Sequence, residues 1–118
     1  MSDVISIKGI KGFGFHGVFD FEKRDGQNFY VDIEVELDLS KASRSDQLED
    51  TVDYGTFTSI AIQHITGEPV NLIEHLAGNI AQGIKESSPS IISVAVTVHK
   101  PQAPVSEEVS DIAVTIRR

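Results

Sequence analysis

The chain is organised around Val70-Asn71-Leu72-Ile73-Glu74-His75-Leu76-Ala77, a stretch with the pattern of a helix start. Asn71 and Glu74 have the spacing of a capping box, in which the first side chain accepts a hydrogen bond from a first-turn N–H. The apolar residues that follow recur at helical spacing and form one stripe: Ile73, Leu76, Ala77, Ile80 and Ile84. The sequence therefore predicts an amphipathic helix, capped by Asn71, with one face against a core.

Glu74 falls in the first turn of this predicted helix, beside backbone N–H groups that have no partner within the helix. The positive end of the helix dipole favours a negative charge at this place. A fixed carboxylate beside free N–H groups can bind a planar N–H edge, such as an amidine-like heterocycle, through two parallel hydrogen bonds. The alternative is that Glu74 only caps its own helix.

The clearest strand pattern runs from Phe29 to Leu39, where apolar and acidic residues alternate strictly. The apolar members are Val31, Ile33, Val35, Leu37 and Leu39, and the acidic members are Asp32, Glu34, Glu36 and Asp38. One face must therefore be buried. The acidic face is expected to be solvated rather than to bind a metal, because nothing else in the sequence converges on it.

Three other segments have strand patterns: Val4 to Phe15, Ile91 to Lys100 and Val109 to Arg117. In the first segment Ile5 and Ile7 fall on one face of the strand, whereas strict alternation would put Ile10 on the opposite face. Gly9, which lies between them, is therefore expected to form a bulge. In the next, one face carries Ile92, Val94, Val96 and Val98. Glycines at positions 12, 14 and 17 lack the following helix of a phosphate loop, so they predict close approach of the backbone to a neighbouring element.

A second helix is predicted from Thr56 to Thr66, while Phe19 to Asn28 and Ser40 to Asp50 are expected to be polar loops. The order strand, strand, helix, helix, strand, strand predicts an α+β fold, with an antiparallel four-stranded sheet and two helices on one face. Such a sheet has two open edges, which proteins usually cover or pair. Pairing of edges between identical subunits would close a barrel.

Lys100 continues the apolar face of its predicted strand, just before Pro101. Either the side chain reaches past the core to water, or the ammonium is held in a partly dry pocket. In a dry pocket the amine becomes a usable acid or base near neutral pH. Glu22 lies in a polar segment, and from the residues alone it is expected to be a solvated surface carboxylate.

Composition limits the classes of function that the chain can have. Its 118 residues, 40% of them hydrophobic, fit one domain, residues 1–118, with a packed core. The formal net charge of -8 disfavours nucleic acid and anionic membrane as partners. Without cysteine, and with His16, His64, His75 and His99 not at metal-ligand spacing, no metal is expected. No signal peptide or membrane-spanning run is recognised, and a cytoplasmic location is expected.

Four groups of residues, in order and covering nearly the whole chain, resemble the motifs of one family. They are Gly9-Ile10, His16-Gly17 and Glu22 with Gly26-Gln27-x-Phe29-x-Val31-Asp32; Asp46-x-Leu48-x-Asp50-Thr51-Val52-Asp53-Tyr54-Gly55; Asn71-Leu72-Ile73-Glu74-His75-Leu76-Ala77; and Val98-His99-Lys100-Pro101-x-Ala103-Pro104. The family is that of the dihydroneopterin aldolases. The resemblance implies the tunnelling fold, in which subunit sheets join into a barrel. It also implies a homo-tetramer or homo-octamer with active sites between subunits, and a place in folate biosynthesis.

The resemblance also implies roles for individual residues. Glu74 would hold the amino group and ring N–H of a pterin, helped by the backbone of Ile73. Tyr54, from the adjacent subunit, would lie against the pterin and assist proton transfer. Glu22 would contact the substrate side chain, and Lys100 would donate and accept protons. The residues alone had already indicated Glu74 and Lys100, whereas Glu22 and Tyr54 rest on the resemblance.

The implied activity is that of an aldehyde-lyase. Retro-aldol cleavage of 7,8-dihydroneopterin would give 6-hydroxymethyl-7,8-dihydropterin and glycolaldehyde, with epimerisation at C2′ as an accompanying activity. Because the substrate's own N5=C6 imine accepts the electrons, neither a metal, a cofactor nor a lysine Schiff base is expected. The alternatives are a dihydroneopterin triphosphate epimerase of the same fold and a non-catalytic pterin-binding oligomeric protein.

Overall fold

The computed structural model describes residues 2–118, and Met1, the first residue of the expected domain, lies outside the described residues. The elements follow in the order β1 (Asp3–Gly14), α1 (Asp20–Asp25), β2 (Gln27–Leu37), α2 (Ser40–Ser45), a single 3₁₀ turn (Leu48–Asp50), α3 (Tyr54–Ile65), α4 (Ile73–Glu86), β3 (Ser93–His99) and β4 (Ala113–Arg117). None of the helices within these residues is both long and apolar enough to cross a membrane.

The predicted order of four strands and two long helices is confirmed, but two expected loops are not loops. The segments from Phe19 to Asn28 and from Ser40 to Asp50 contain the short helices α1 and α2. Each of these helices has six residues, which is under two turns. So short a segment has too few apolar positions to show a helical period in the sequence.

The four strands form one antiparallel sheet in the order β1-β2-β3-β4. Pairing between β1 and β2 shifts register between Ile7 and Ile10, and Gly9 has a φ of +70° there, so the predicted bulge is confirmed. The bulge returns Ile10 to the face that packs on the core. It also lets the Gly9 N–H donate a hydrogen bond of 2.8 Å to Asp32 Oδ1 on β2.

The core lies between one face of the sheet and the two long helices. The alternation of β2 and the apolar stripe of α4 are confirmed, since the inward residues of both elements are buried. Helix α4 packs on β3 and β4, and α3 packs on β1. The prediction for Ile92 is wrong, because Ile92 is 55% exposed and Ile91 is buried instead. Strand β3 begins only at Ser93, so the alternation does not extend back to these two residues.

Leu76, on the buried face of α4 and 1% exposed, tests the core directly. Leu76→Ala is expected to lower the free energy of unfolding by about 2–5 kcal/mol, because it removes buried methyl groups and leaves a cavity. Gln82→Ala, on the exposed side of the same helix, is the control and is expected to change it by less than about 0.5 kcal/mol. Urea unfolding followed by circular dichroism measures both, and equal effects would contradict this packing.

Candidate active site

A buried ion pair joins α1 to the end of β3. The Lys100 ammonium lies 2.6 Å from Glu22 Oε2, and the two residues are 9% and 4% exposed. The predicted inward direction of Lys100 is confirmed, because it continues the buried face that ends with Val98. The expectation that Glu22 is a solvated surface residue is wrong, because α1 places its side chain on Lys100, which supplies the opposite charge.

Glu22 is held by more than this lysine. Its Oε2 also accepts a hydrogen bond of 3.0 Å from Gln27 Nε2, and its Oε1 accepts one of 3.3 Å from the Phe19 N–H. Burial by itself raises the pKa of Glu22, but the hydrogen bonds from Lys100, Gln27 and Phe19 outweigh it and leave the pKa below its usual value. Glu22 is therefore an ionised carboxylate with a fixed direction at neutral pH.

Both members of this ion pair and the first residues of α4 line a cleft of about 320 Å³. The cleft brings together Glu22, Ile73, Glu74 and Lys100, four of the five residues predicted for the site. The rest of the lining is mostly apolar: Val18, Phe19, Leu72, Ala103, Pro104, Ile112 and Val114. A flat ring with one polar edge and a polar side chain fits a cleft with this arrangement of groups.

Glu74 is presented to the cleft by the first turn of α4, but the predicted capping box is wrong. The helix begins at Ile73, and its N-cap is Leu72, which makes no side-chain capping bond. Asn71 is not a cap, because its Oδ1 accepts a hydrogen bond of 2.6 Å from the Lys23 ammonium of α1. The carboxylate of Glu74 is exposed beside the first N–H groups of the helix. Its side chain is thus available for a ligand.

Tyr54 is the one predicted site residue that the cleft does not contain. It is 65% exposed and lies at the start of α3, in a separate groove of about 980 Å³ along β1. The groove also contains apolar side chains of Ile5, Leu39 and Leu48. Within one chain, therefore, Tyr54 does not meet the Glu22–Lys100 pair.

The connection between α3 and α4 is held by His16, which sequence reasoning did not select. His16 is fully buried, and burial lowers its pKa, so the ring is neutral at pH 7. Its Nε2–H donates to the Ile65 carbonyl at 2.8 Å, and its Nδ1 accepts from the Val70 N–H at 3.0 Å. The Gly17 N–H adds a bond of 2.9 Å to the Val70 carbonyl. The connection between α3 and α4 is thereby fastened to the end of β1.

The prediction of close backbone approach at the glycines is confirmed at Gly14 and Gly17. An added Cβ at Gly14 would overlap the Ile65 carbonyl, and one at Gly17 would overlap the carboxyl group of Glu22. The buried Gln27, the other residue that sequence reasoning missed, also contacts Glu22. The only sequence signal for these contacts was membership of the quoted motifs His16-Gly17 and Gly26-Gln27.

His99, which precedes Lys100, ties several elements together on the outer side of the sheet. Its Nε2 lies 2.7 Å from Asp32 Oδ2 and its Nδ1 lies 2.6 Å from Asp111 Oδ2, in the segment before β4. Asp32 is therefore paired, which the expectation of a simply solvated acidic face did not include. Among residues 2–118, no group of three or more His, Cys, Asp or Glu side chains is arranged to hold a metal ion.

The His99 contacts predict a pH dependence of stability. Burial lowers the pKa of His99, but hydrogen bonds and charge from Asp111 and Asp32 outweigh it, so the folded-state pKa lies above the unfolded value. The stabilisation is therefore complete below the unfolded pKa of about 6.5 and disappears as the pH rises through the folded pKa. We expect the free energy of unfolding of the wild type to exceed that of His99→Gln by about 1 kcal/mol at pH 6, and by progressively less towards pH 9.

Urea unfolding at a series of pH values measures this difference. His75→Gln, which removes an exposed histidine, is the matched control and is expected to show no such trend. A wild-type advantage over His99→Gln that stays constant from pH 6 to pH 9 would show that His99 is not charged in the folded protein.

Comparisons with known proteins agree on one family. The family model described as dihydroneopterin aldolase matches residues 5–117. The chain is 43% identical to the dihydroneopterin aldolase of Streptomyces coelicolor over 116 residues, which cover 98% of this chain and 97% of that protein. It is 37% identical to the dihydroneopterin aldolase of Bacillus subtilis over 116 residues, with the same shares of the two chains.

Solved structures match the fold as closely. The structure of Escherichia coli dihydroneopterin aldolase in complex with neopterin matches with a TM-score of 0.90 and 26% identity, covering 98% of both chains. A dihydroneopterin aldolase from Burkholderia thailendensis bound to guanine matches with a TM-score of 0.80 and 18% identity, covering 99% of this chain and 90% of that one. The second likeness shows the fold alone.

Proposed function

Since the chain belongs to the dihydroneopterin aldolase family, we propose that the cleft between α4 and Lys100 is where it cleaves 7,8-dihydroneopterin. The products are 6-hydroxymethyl-7,8-dihydropterin and glycolaldehyde, so the enzyme is an aldehyde-lyase. One observation supports this location above the others. The buried Glu22–Lys100 pair and the exposed Glu74 carboxylate line the same cleft.

Glu74 is the anchor for the heterocycle. The pterin ring presents an amino group and a ring N–H side by side, and a carboxylate accepts both through two parallel hydrogen bonds. The backbone of Ile73, in the same turn, holds the adjacent edge of the ring. The neopterin bound to the Escherichia coli relative is a ligand of this chemical class.

Lys100, which lines the same cleft, carries out the proton transfers. Cleavage of the C1′–C2′ bond requires removal of the proton from the 2′-hydroxyl and a place for the bonding electrons. The electrons move into the substrate's N5=C6 imine as N5 takes a proton from Lys100, and the amine so formed accepts the proton of the 2′-hydroxyl. Protonation of the resulting enamine at C1′, with loss of the N5 proton, then restores the imine in the product. A lysine that is paired with Glu22 can supply and recover these protons without a covalent bond to the substrate. If the aldehyde adds back on its other face, C2′ is inverted, which accounts for epimerase activity.

The cleft of one chain lacks Tyr54, and we propose that a neighbouring subunit supplies it. The exposed Tyr54 lies beside β1, which is one edge of the sheet, and β4 is the other edge. Joining these edges between identical chains in a tetrameric or octameric barrel would pair unsatisfied strand edges. It would also bring the Tyr54 groove of one chain towards the cleft of the next.

We further propose that the protein is a cytoplasmic enzyme formed from a single domain.

Lys100→Ala is expected to lower glycolaldehyde formation by about 100-fold or more while neopterin binding weakens only modestly, because the proton carrier is lost. Glu74→Gln is expected to affect binding more than turnover. Its affinity for neopterin should fall by roughly 10-fold, because an amide has one acceptor oxygen in place of two. Turnover and fluorescence titration measure the two effects, with Lys85→Ala as the control. Normal turnover in Lys100→Ala would remove Lys100 from the mechanism, and turnover without glycolaldehyde would favour an epimerase.

A subunit-mixing experiment tests the shared site. Tyr54→Phe and Lys100→Ala are each expected to be nearly inactive alone. In oligomers assembled from both variants, about one quarter of the sites should combine an intact Tyr54 with an intact Lys100 from the next chain. Activity should therefore recover towards that fraction of wild type. If Tyr54 acted within its own chain, every site would carry one defect and mixing would restore nothing.

A further inference from the structure

Gln27 contacts the catalytic pair from behind. It is the first residue of β2 and is 8% exposed. Its Nε2 lies 3.0 Å from Glu22 Oε2, the same oxygen that binds the Lys100 ammonium at 2.6 Å. The side chain does not line the cleft itself, and its hydrogen bond to Glu22 connects it to the site.

The turn before β2 places Gln27 under Glu22. Gly26 ends α1 with a φ of +71°, a conformation that favours glycine, and the chain reverses there into β2. An added Cβ at Gly26 would overlap the ring of Phe13. Gly26 thus makes the turn that allows the side-chain amide of its neighbour Gln27 to reach the Glu22 carboxylate.

The other end of the Gln27 amide supports a role beyond packing. Its Oε1 is buried and has no hydrogen-bond partner among the described residues. A buried polar atom without a partner is unfavourable, and an apolar side chain of similar length would avoid that cost. If the amide were reversed, its oxygen would face the Glu22 carboxylate, and two acceptors in contact repel each other. A residue kept for stability alone would not need this amide, whereas a residue kept for its N–H donor would.

We propose that Gln27 is a positioning residue, whose amide fixes the direction of the Glu22 carboxylate so that Glu22 keeps the Lys100 ammonium aimed into the cleft. This inference rests on the proposed function. With Gln27, Glu22 Oε2 has two donors and Oε1 has the Phe19 N–H, so the carboxylate has one orientation. Without it, only Lys100 holds Oε2, and the carboxylate and the ammonium move together.

Loss of the amide also has a predictable sign in a pH profile. The hydrogen bond from Gln27 is one of the contacts that keep the pKa of Glu22 low, so its removal raises that pKa. The other charged groups near the pair include Lys23 of α1 and Glu74, which lines the same cleft, while the nearby His16 is neutral. None of them changes when Gln27 is replaced. The acid limb of the kcat profile should therefore move to higher pH.

The main variant is Gln27→Met, which keeps the length of the side chain and removes both ends of the amide. We expect kcat for glycolaldehyde release to fall roughly 10-fold or more, because a small misplacement of a catalytic group is costly, while KM stays within about 3-fold. The acid limb should shift upwards, and the melting temperature should stay within about 5 °C of wild type. Gln82→Met, at an exposed position on α4, is the matched control and should leave all of these unchanged.

Gln27→Glu gives an independent signature if the methionine variant folds poorly. A protonated carboxyl at position 27 still donates to Glu22, whereas an ionised one repels it. The activity of this variant should therefore fall with rising pH in a range where the wild-type profile is flat. Wild-type activity and pH profile in both variants would overturn the inference, as would a raised KM with unchanged kcat. Wild type that releases no glycolaldehyde from 7,8-dihydroneopterin would instead overturn the proposed function on which the inference rests.

Discussion

The site depends on keeping two opposite charges out of water. Glu22 and Lys100 come from distant parts of the sequence and meet at 2.6 Å in a buried setting. Burial of such a pair is costly unless further hydrogen bonds satisfy it, and the pair is weak evidence for stability. Gln27 and the Phe19 N–H supply those bonds. Together these contacts hold the Lys100 side chain against a fixed carboxylate where it lines the cleft.

The remainder of the fold holds this pair and Glu74 around one cleft. Strand β3 extends from the core of the sheet and ends where Lys100 begins the cleft. Helix α4 buries its apolar stripe against β3 and β4, so the sheet that ends at Lys100 also supports the helix that carries Glu74. The neutral His16 fastens the preceding connection to β1. Helix α4 and strand β3 therefore hold Glu74 and Lys100 at the same cleft.

The sequence predicted what depends on repeating patterns and missed what depends on single distant contacts. The alternation of apolar and polar residues correctly predicted the core face of β2 and the inward direction of Lys100. Helical spacing correctly predicted the apolar stripe of α4. Glu22 appeared to be a surface residue because its partner is remote in sequence and α1 is too short to show a period. The capping box failed because Lys23 takes the Asn71 side chain. The predicted role of Tyr54 at the cleft is not visible within one chain, because Tyr54 lies in the separate groove along β1.

The most direct test of the account is a crystal structure of this protein with neopterin bound. We expect the amino group and ring N–H of the pterin to donate hydrogen bonds to the Glu74 carboxylate. The side-chain end of the ligand should lie within hydrogen-bond distance of Lys100, while Lys100 remains paired with Glu22. A pterin bound away from Glu74, for example within the groove along β1 with the α4 cleft empty, would contradict it.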